Sequence, residues 1–276
     1  EIMIDLKRNS KGEFVEATGL NSQAWRIYKP NQKKDFPISR SGFEDFKKCS
    51  RCFYLKIVKG FQEPGMPQFK LNELTDTLLK KEFDQCRKDQ KPHRKFIEKG
   101  LDHIVPYDAG LTIIKNSKGE EKKLPLIDVW RDAKHHGLKR RFKDTNIILR
   151  GGIDDVWFNK KTKELIVVDY KSQSTNLSVT TRNYLAGDYH RNYKIQLDFY
   201  AYLLTNMGFE LSPLGYFLVC NADRSAVGFY GNMKFEETLV PYEWDIEWIE
   251  FEVSGLIRTL NSTVIPDGNK SCENCA

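Results

Sequence analysis

Two aspartates and a lysine on neighbouring segments have the types and spacing of a hydrolytic metal site. Asp169 and Lys171 end a β-branched run, and Asp154 lies in the apolar segment before it. Successive side chains on a strand point to opposite faces, so Asp169 and Lys171 share one face and Tyr170 the other. Adjacent carboxylates repel each other unless a cation lies between them, and a hard cation such as Mg²⁺ takes oxygen ligands. Asp155 faces away if its strand is regular, so we predict a structural role for it.

A β-hairpin is the element that must position these residues. The apolar residues 147–158 and the β-branched residues 164–171 are predicted to be strands. If residues 160–163 form a four-residue loop, Asp154 lies directly opposite Asp169. Opposed side chains in an antiparallel ladder are roughly 4.5–5.5 Å apart at Cβ and point to the same face. The hairpin therefore predicts a paired-carboxylate site.

The order of the motifs resembles the PD-(D/E)xK nuclease superfamily, specifically its RecB-like exonuclease branch. That branch carries Gly-x-Ile-Asp on one strand, Asp-x-Lys on the next and Gln-x-x-x-Tyr on a following helix. In this chain they lie at residues 151–154, 169–171 and 196–200. The resemblance extends more loosely from Ser39 to Cys275. It implies an α/β fold with a central mixed β-sheet flanked by helices, as in restriction endonucleases.

The resemblance also implies metal-dependent hydrolysis of DNA phosphodiester bonds, with exonuclease action. The residues implied to be catalytic are Asp154, Asp169, Lys171 and Gln196. The implied ligands of one or two Mg²⁺ or Mn²⁺ ions are Asp76, Asp154, Asp169 and the backbone carbonyl of Tyr170. Asp76 stands where the resembling families often carry a metal-binding histidine, and its alternative is a half-exposed helix charge. Lys171 would orient or activate the attacking water and stabilise negative charge.

Two other kinds of function remain open at this stage. RecB-like domains also occur as inactive DNA-binding clamps inside helicase–nuclease assemblies, but such domains typically lose the Asp or Lys of the site. A structural protein held together by its cysteines would leave a buried Asp-Asp-Lys group without a purpose, and unpaired buried charge is costly. The expected setting of the enzyme is DNA repair, recombination or defence in the cytoplasm of a prokaryote- or phage-like system. The expected partners are DNA and a helicase or recombination protein.

Four cysteines form a second candidate site. Cys49 and Cys52 make one Cys-x-x-Cys pair, and Cys272 and Cys275 make another. Two such pairs can hold a tetrahedral zinc ion or an iron–sulfur cluster. Resemblance to AddB-type and CRISPR-associated nucleases favours a [4Fe–4S] cluster. Those proteins usually take one upstream and three downstream cysteines, so structural Zn²⁺ stays an alternative. Either centre would add stability rather than chemistry.

Composition and charge are compatible with a polyanion partner. The 276-residue chain is 40% hydrophobic and 30% charged, with a net charge of +6. No apolar run approaches the roughly 18 residues of a membrane helix, so we expect no membrane association. A basic run before the hairpin could hold phosphates, or could be a solvated loop. The predicted DNA-binding residues are Lys139, Arg140, Arg141, Arg182 and Tyr200.

The remaining elements are predicted from apolar periodicity. Residues 1–38 are predicted to be a loose lead-in and residues 39–276 a single nuclease-like domain. We divide that domain into a helical part, residues 41–146, and a catalytic core, residues 147–240. Helices are predicted at residues 41–60, 69–87, 126–139, 193–206 and 242–260, and further strands at 214–219 and 226–230.

Overall fold

A computed structural model of the protein describes residues 7–9, 11–63, 69–115 and 119–275. Residues 1–6 and 10 of the predicted lead-in lie outside the described residues. The chain divides into two compact units. The first comprises residues 1–34, 45–67 and 253–276, and the second comprises residues 35–44 and 68–252. The predicted boundary at residue 38 stays a prediction.

The described residues form eight α-helices and ten β-strands. The helices are α1 (Arg40–Lys48), α2 (Ser50–Ile57), α3 (Lys70–Asp89), α4 (Arg94–Glu98), α5 (Leu126–Arg131), α6 (Thr181–Ala186), α7 (Arg191–Asn206) and α8 (Ile249–Leu260). The strands are β1 (Phe36–Ser39), β2 (Ile104–Pro106), β3 (Leu111–Lys115), β4 (Glu121–Pro125), β5 (Leu138–Arg141), β6 (Ile147–Gly151), β7 (Asp155–Asn159), β8 (Leu165–Gln173), β9 (Leu214–Ala222) and β10 (Phe235–Glu243). Among the described residues, no helix is both long and apolar enough to cross a membrane.

A mixed sheet in the second unit carries the predicted site. Its strand order is β10-β9-β8-β7-β2, and β8 and β9 run parallel while the other pairs are antiparallel. The Tyr170 ring on β8 packs 5.4 Å from the Phe83 ring of α3, whereas Asp169 accepts a hydrogen bond from Gln196 of α7. Because adjacent side chains of a strand face opposite ways, α3 and α7 flank opposite faces. The predicted α/β fold class is confirmed.

The β7–β8 hairpin has the predicted register. Asp155 pairs with Val168 in the antiparallel ladder. Continuing that ladder by one residue places Asp154 opposite Asp169. The loop length alone was therefore sufficient to predict which residues face each other.

The predicted strand 147–158 is divided into β6 and β7, which belong to different sheets. A Cβ on Gly151 would lie 2.6 Å from Cε1 of Tyr200, and a Cβ on Gly152 would lie 2.7 Å from Cβ of Ala133. The two glycines thus let α7 and the segment after α5 approach closely. That close approach fixes the turn that carries Asp154.

Three predicted helices differ from the structure. The helix predicted at 41–60 is interrupted at Cys49, whose backbone is extended. The helix predicted at 126–139 ends at Arg131, because the backbone of the next residue, Asp132, is not helical (φ −75°, ψ +78°). Further on, Gly137 has a φ of +71°, and a Cβ there would meet a backbone carbonyl at 2.5 Å. The final helix begins at Ile249 rather than at residue 242. The part predicted to be helical also contains β2 to β5.

Two other sequence patterns were misread. Residues 226–230, predicted to be a strand, lie in the connection before β10. In α3, the regularly spaced leucines Leu71, Leu74 and Leu78 are exposed, while Leu79 and Phe83 enter the core. Helical spacing alone does not show which of two neighbouring stripes packs on the sheet.

Asp155 lies in a buried network behind the site, in agreement with the structural role predicted for it. Its carboxylate is fully buried, accepts a hydrogen bond from the Tyr170 hydroxyl at 2.6 Å, and lies 3.3 Å from Nη2 of Arg131. Arg87 completes the network with a further ion pair. These contacts connect α3, α5 and the hairpin.

We expect Asp155→Ala to destabilise the second unit strongly. The substitution leaves two arginines and a phenol without their buried acceptor, and breaking a buried ion pair in this way costs about 3–5 kcal/mol. Urea unfolding followed by circular dichroism measures the change. Asp102→Ala, at an exposed carboxylate, is the matched control and should change the unfolding free energy by less than about 0.5 kcal/mol. Equal effects of the two substitutions would contradict the role given to Asp155.

A second buried carboxylate, Asp198 on α7, makes stability depend on pH. It accepts hydrogen bonds from the Asp245 amide at 3.0 Å and from Trp248 Nε1 at 3.2 Å. Burial nevertheless raises the pKa of Asp198 to about 6. The folded state therefore retains a proton that the unfolded chain has already released.

Since the pKa of Asp198 is higher in the folded state, its contribution to stability should decrease as pH rises from about 4 to about 6. Asp198→Asn cannot titrate and should lack this part of the pH dependence, which amounts to at most about 2–3 kcal/mol. Urea titrations of both proteins between pH 4 and 7 give the difference. Parallel stability curves for the two proteins would show that Asp198 does not titrate in this range.

Candidate active site and cysteine cluster

The structure brings the predicted aspartates and lysine together at the end of the hairpin. The backbone amide of Tyr170 donates to Oδ2 of Asp154 at 2.9 Å. Asp169 is fully buried, and the Lys171 ammonium pairs with its carboxylate. The backbone of β8 thus holds one carboxylate while its side chains supply the other carboxylate and the lysine.

Gln196 connects the second carboxylate to the lysine. Its Nε2 donates to Oδ1 of Asp169 at 2.6 Å, and Nζ of Lys171 donates to its Oε1 at 3.3 Å. One turn later on α7, Tyr200 donates to the Gly152 carbonyl at 2.6 Å. Tyr200 is only 2% exposed, so its ring holds the glycine turn in place. The DNA contact of Tyr200 stays a prediction, and nothing beyond the burial of its side chain bears on it.

The charges of the site are strongly coupled. Burial and the neighbouring Asp154 raise the pKa of Asp169 to about 7, against the opposing effect of Lys171. Burial also disfavours ionised Asp154, but Lys80, Lys171 and the Tyr170 amide hold its pKa below the ordinary value. Burial opposes the charge on Lys171, yet both carboxylates raise the pKa of Lys171. Lys171 is thus an ammonium ion near neutral pH.

Asp76 lies beside this group and reaches it through a lysine that the sequence analysis did not identify. Nζ of Lys80 is 2.7 Å from Oδ2 of Asp76 and 3.5 Å from Oδ1 of Asp154. Burial and the nearby Asp154 raise the pKa of Asp76. The i,i+4 spacing of Asp76 and Lys80 is visible in the sequence, but it is also common on exposed helices.

Two arginines support the site from outside the motifs. Nε of Arg131 donates to the Asp154 carbonyl at 2.9 Å, and its Nη1 donates to Asp84 at 2.9 Å. Arg40 lies near Tyr200 and Asp169. Within the described part of the chain, the buried Nε of Arg40 has no acceptor for its hydrogen bond. No motif links these arginines to the hairpin in the sequence, which is why they were missed.

The donor set fits a hard divalent cation. Oδ2 of Asp169 is buried and, among the described residues, accepts no hydrogen bond of good geometry besides its ion pair with Lys171. Burial and the neighbouring Asp154 carboxylate both disfavour the ionised form of Asp169 and raise its pKa. Carboxylate oxygens in such a setting are the ligands that Mg²⁺ and Mn²⁺ prefer.

An aromatic group borders the lysine. Nζ of Lys171 lies 4.5 Å from the centroid of the Tyr193 ring. Tyr193 stacks on His190 at 5.3 Å, and His190 stacks on Tyr184 at 4.0 Å. Tyr184 and His190 also line a cavity of about 210 Å³. Arg182 is exposed next to this group.

The predicted basic run lies on β5, not in a loop. Lys139, Arg140 and Arg141 are all exposed, and Arg141 forms a bidentate ion pair with Asp35 at 2.6 and 2.7 Å. Their strand pairs with β6, which leads into the glycine turn of the site.

The first unit contains the four cysteines as one cluster. Their Sγ atoms all lie within 4.8 Å of one another, with 3.3 Å between Cys52 and Cys275 and 3.6 Å between Cys49 and Cys275. Burial disfavours ionised Cys49, but hydrogen bonds from the Asn269 and Cys52 amides and from neighbouring thiols lower its pKa to about 6. The arrangement can hold a metal ion.

Comparison with known proteins agrees with this geometry. A comparison with curated proteins found no significant match. The crystal structure of a candidate exonuclease from Eubacterium rectale is similar over 86% of each chain, with 14% sequence identity and a TM-score of 0.40, and the assignment below does not depend on it. The sequence model of the PD-(D/E)XK nuclease superfamily matches residues 37–276. With the hairpin, the paired carboxylates and the lysine in place, the chain belongs to the PD-(D/E)XK nuclease superfamily.

Proposed function

We propose that this protein is a divalent-metal-dependent DNA nuclease of the RecB-like branch, acting as an exonuclease. The observation that carries the proposal is the intact group formed by Asp154, Asp169 and Lys171, which Gln196 joins by two hydrogen bonds. Membership of a nuclease superfamily gives the reaction class. The complete set of charged groups supports a catalytically active member of the superfamily rather than an inactive DNA-binding clamp.

The proposed ligands of Mg²⁺ or Mn²⁺ are Asp154, Asp169 and the Tyr170 carbonyl. Asp76 was also predicted to be a ligand, but its carboxylate is paired with Lys80, so we leave it out of the proposed ligand set. When bound, the cation would polarise a phosphoryl oxygen and lower the pKa of a bound water. The ordered Tyr170 amide and Gln196 hold the two carboxylates in place for this task.

Lys171 acts as a charged donor in this scheme. Its pKa is raised by both carboxylates, so it is not available as a general base near neutral pH. An ammonium ion fixed by Gln196 can instead orient the attacking water and stabilise the negative charge that develops on the phosphate. This favours the stabilising role among the two roles expected for the lysine.

The proposed DNA-binding residues are the exposed cations near the site. The proposed contacts of Lys139, Arg140 and Arg141 on β5 are with the phosphate backbone, and Arg182, exposed beside the aromatic group, is proposed to do the same. We propose a role in DNA repair, recombination or defence, together with a helicase or recombination partner. A DNA substrate also favours a cytoplasmic location.

We expect the purified protein to cut end-labelled DNA when Mn²⁺ or Mg²⁺ is present and not with EDTA. Lys171→Ala should lower the cleavage rate by at least about 100-fold, because it removes a donor that acts on developing charge. Asp154→Asn should do the same by weakening the metal site. Gel analysis of single- and double-stranded substrates measures rate and polarity.

Lys161→Ala is the matched control, since Lys161 is an exposed lysine in the hairpin loop, and it should cut like the wild type. Cleavage by Lys171→Ala at the wild-type rate would overturn the proposed active site. Tight DNA binding without cleavage by the wild type would instead support the clamp.

For the cysteine cluster we propose a single structural Zn²⁺ rather than the iron–sulfur cluster favoured by resemblance. A tetrahedral zinc site with Zn–S bonds of about 2.3 Å has sulfur atoms roughly 3.8 Å apart. Three of the Sγ separations are 3.3 to 3.6 Å, and all of them are at most 4.8 Å, which is close to this value. An iron–sulfur cluster places several atoms between the thiolates and needs a wider set. The low pKa of Cys49 further suits a thiolate ligand.

We expect the purified chain to contain about one zinc per molecule and to lack visible absorbance. Cys52→Ser should lose the metal and lower the melting temperature, whereas Cys86→Ser, at a cysteine outside the cluster, should retain both. Metal analysis and thermal unfolding provide the measurements. Iron and sulfide in stoichiometric amounts, with a brown colour, would identify an iron–sulfur cluster instead.

A further inference from the structure

Lys80 is placed between two carboxylates of the site, not on a solvated helix face. Its Nζ lies 2.7 Å from Asp76 and 3.5 Å from Asp154, and its side chain is only 23% exposed. An ordinary i,i+4 pair would involve Asp76 alone. The contact with Asp154 brings a helix α3 cation onto a carboxylate held by the backbone of β8.

The position of Lys80 determines which pair of carboxylates a metal ion can contact. A cation held jointly by Asp76 and Asp154 would need the space that the Lys80 ammonium occupies. On its other side, Asp154 faces the Asp169 carboxylate and, among the described residues, no shared ammonium group, because Lys171 pairs with Oδ2 of Asp169 and is held there by Gln196. The two sides of Asp154 are therefore not equivalent for a divalent ion.

The balance of charge leads to the same conclusion. Asp76, Asp154 and Asp169 are opposed by the ammonium groups of Lys80 and Lys171, which leaves one net negative charge when all are ionised. Arg131 adds a further positive charge near Asp76. One divalent ion more than neutralises this group, and a second ion would be repelled by Lys80 at short range.

We propose that Lys80 is a built-in cation that takes the place of a second metal ion, so that the active site binds one divalent ion between Asp154 and Asp169. Asp76 then acts by holding Lys80 in position and does not contact the ion. This inference rests on the proposed function, because it requires the metal site formed by those two carboxylates.

Mn²⁺ binding without DNA tests the inference independently of catalysis. Electron paramagnetic resonance of free Mn²⁺, titrated with the intact chain, gives the number and affinity of bound ions. We expect one ion per wild-type chain. Lys80→Met should bind Mn²⁺ on the order of tenfold more tightly, and should take a second ion, because a positive charge next to the ligands has been removed. Lys80→Arg keeps the charge and should still take one ion.

Lys81→Met is the matched control, since it removes the same charge from the neighbouring, exposed residue of α3, and should bind like the wild type. Thermal unfolding of each variant with and without Mn²⁺ confirms that it is folded, and Lys80→Met should gain more stability from the metal than the wild type does. Two ions in the wild-type site, or a Lys80→Met protein with unchanged ion number and affinity, would overturn the inference.

Asp154→Asn separates this result from failure of the proposed function. If Asp154→Asn abolishes Mn²⁺ binding but Lys80→Met behaves like the wild type, only the role of Lys80 is wrong. If Asp154→Asn binds Mn²⁺ as the wild type does, the metal site itself is wrong and both proposals fail.

Discussion

The constraint on which the second unit depends is the burial of two aspartates on opposite faces of one hairpin. Asp155 and Asp169 are both fully buried, and buried carboxylates are tolerated only with cationic or hydrogen-bonding partners. On one face the partners are Arg87, Arg131 and the Tyr170 hydroxyl. On the other face they are Lys171 and Gln196. The first set supports the structure, whereas the second contains the lysine and the glutamine of the candidate active site.

Helix α3 has polar contacts with buried groups on both faces of the hairpin. These contacts explain why three of its leucines are exposed. Its polar side chains recur at helical spacing. Lys80 and Arg87 contact carboxylates of the hairpin, Asp84 pairs with Arg87 and Arg131, and Asp76 pairs with Lys80. The apolar side chains of α3 that enter the core are therefore those next to this charged face, Leu79 and Phe83. An amphipathic helix normally buries its most apolar face, but here charge compensation at the hairpin fixes the rotation of the helix.

What the sequence predicts well is local. The hairpin register follows from loop length and strand alternation, so Asp154, Asp169 and Lys171 could be placed before the structure was known. Lys80 and Arg131 could not be assigned to the site from the sequence. Both contact Asp154, which lies 74 and 23 residues further along the chain, and only packing brings them together. The break at Cys49 has the same origin, since an extended residue there places its thiol in the cysteine cluster.

The two carboxylates of the candidate active site, Asp154 and Asp169, differ in proton affinity because their partners differ. Asp154 is held ionised by Lys80, Lys171 and a backbone amide, whereas the pKa of Asp169 is raised to about 7 by burial and by Asp154. A cation that arrives near neutral pH therefore meets one carboxylate that is already charged and one that still shares a proton. Since metal ligands must be deprotonated, the metal ion proposed for this site would have to displace that proton. Under that proposal the buried hairpin couples metal affinity to pH through Asp169, because burial raises the pKa of this carboxylate.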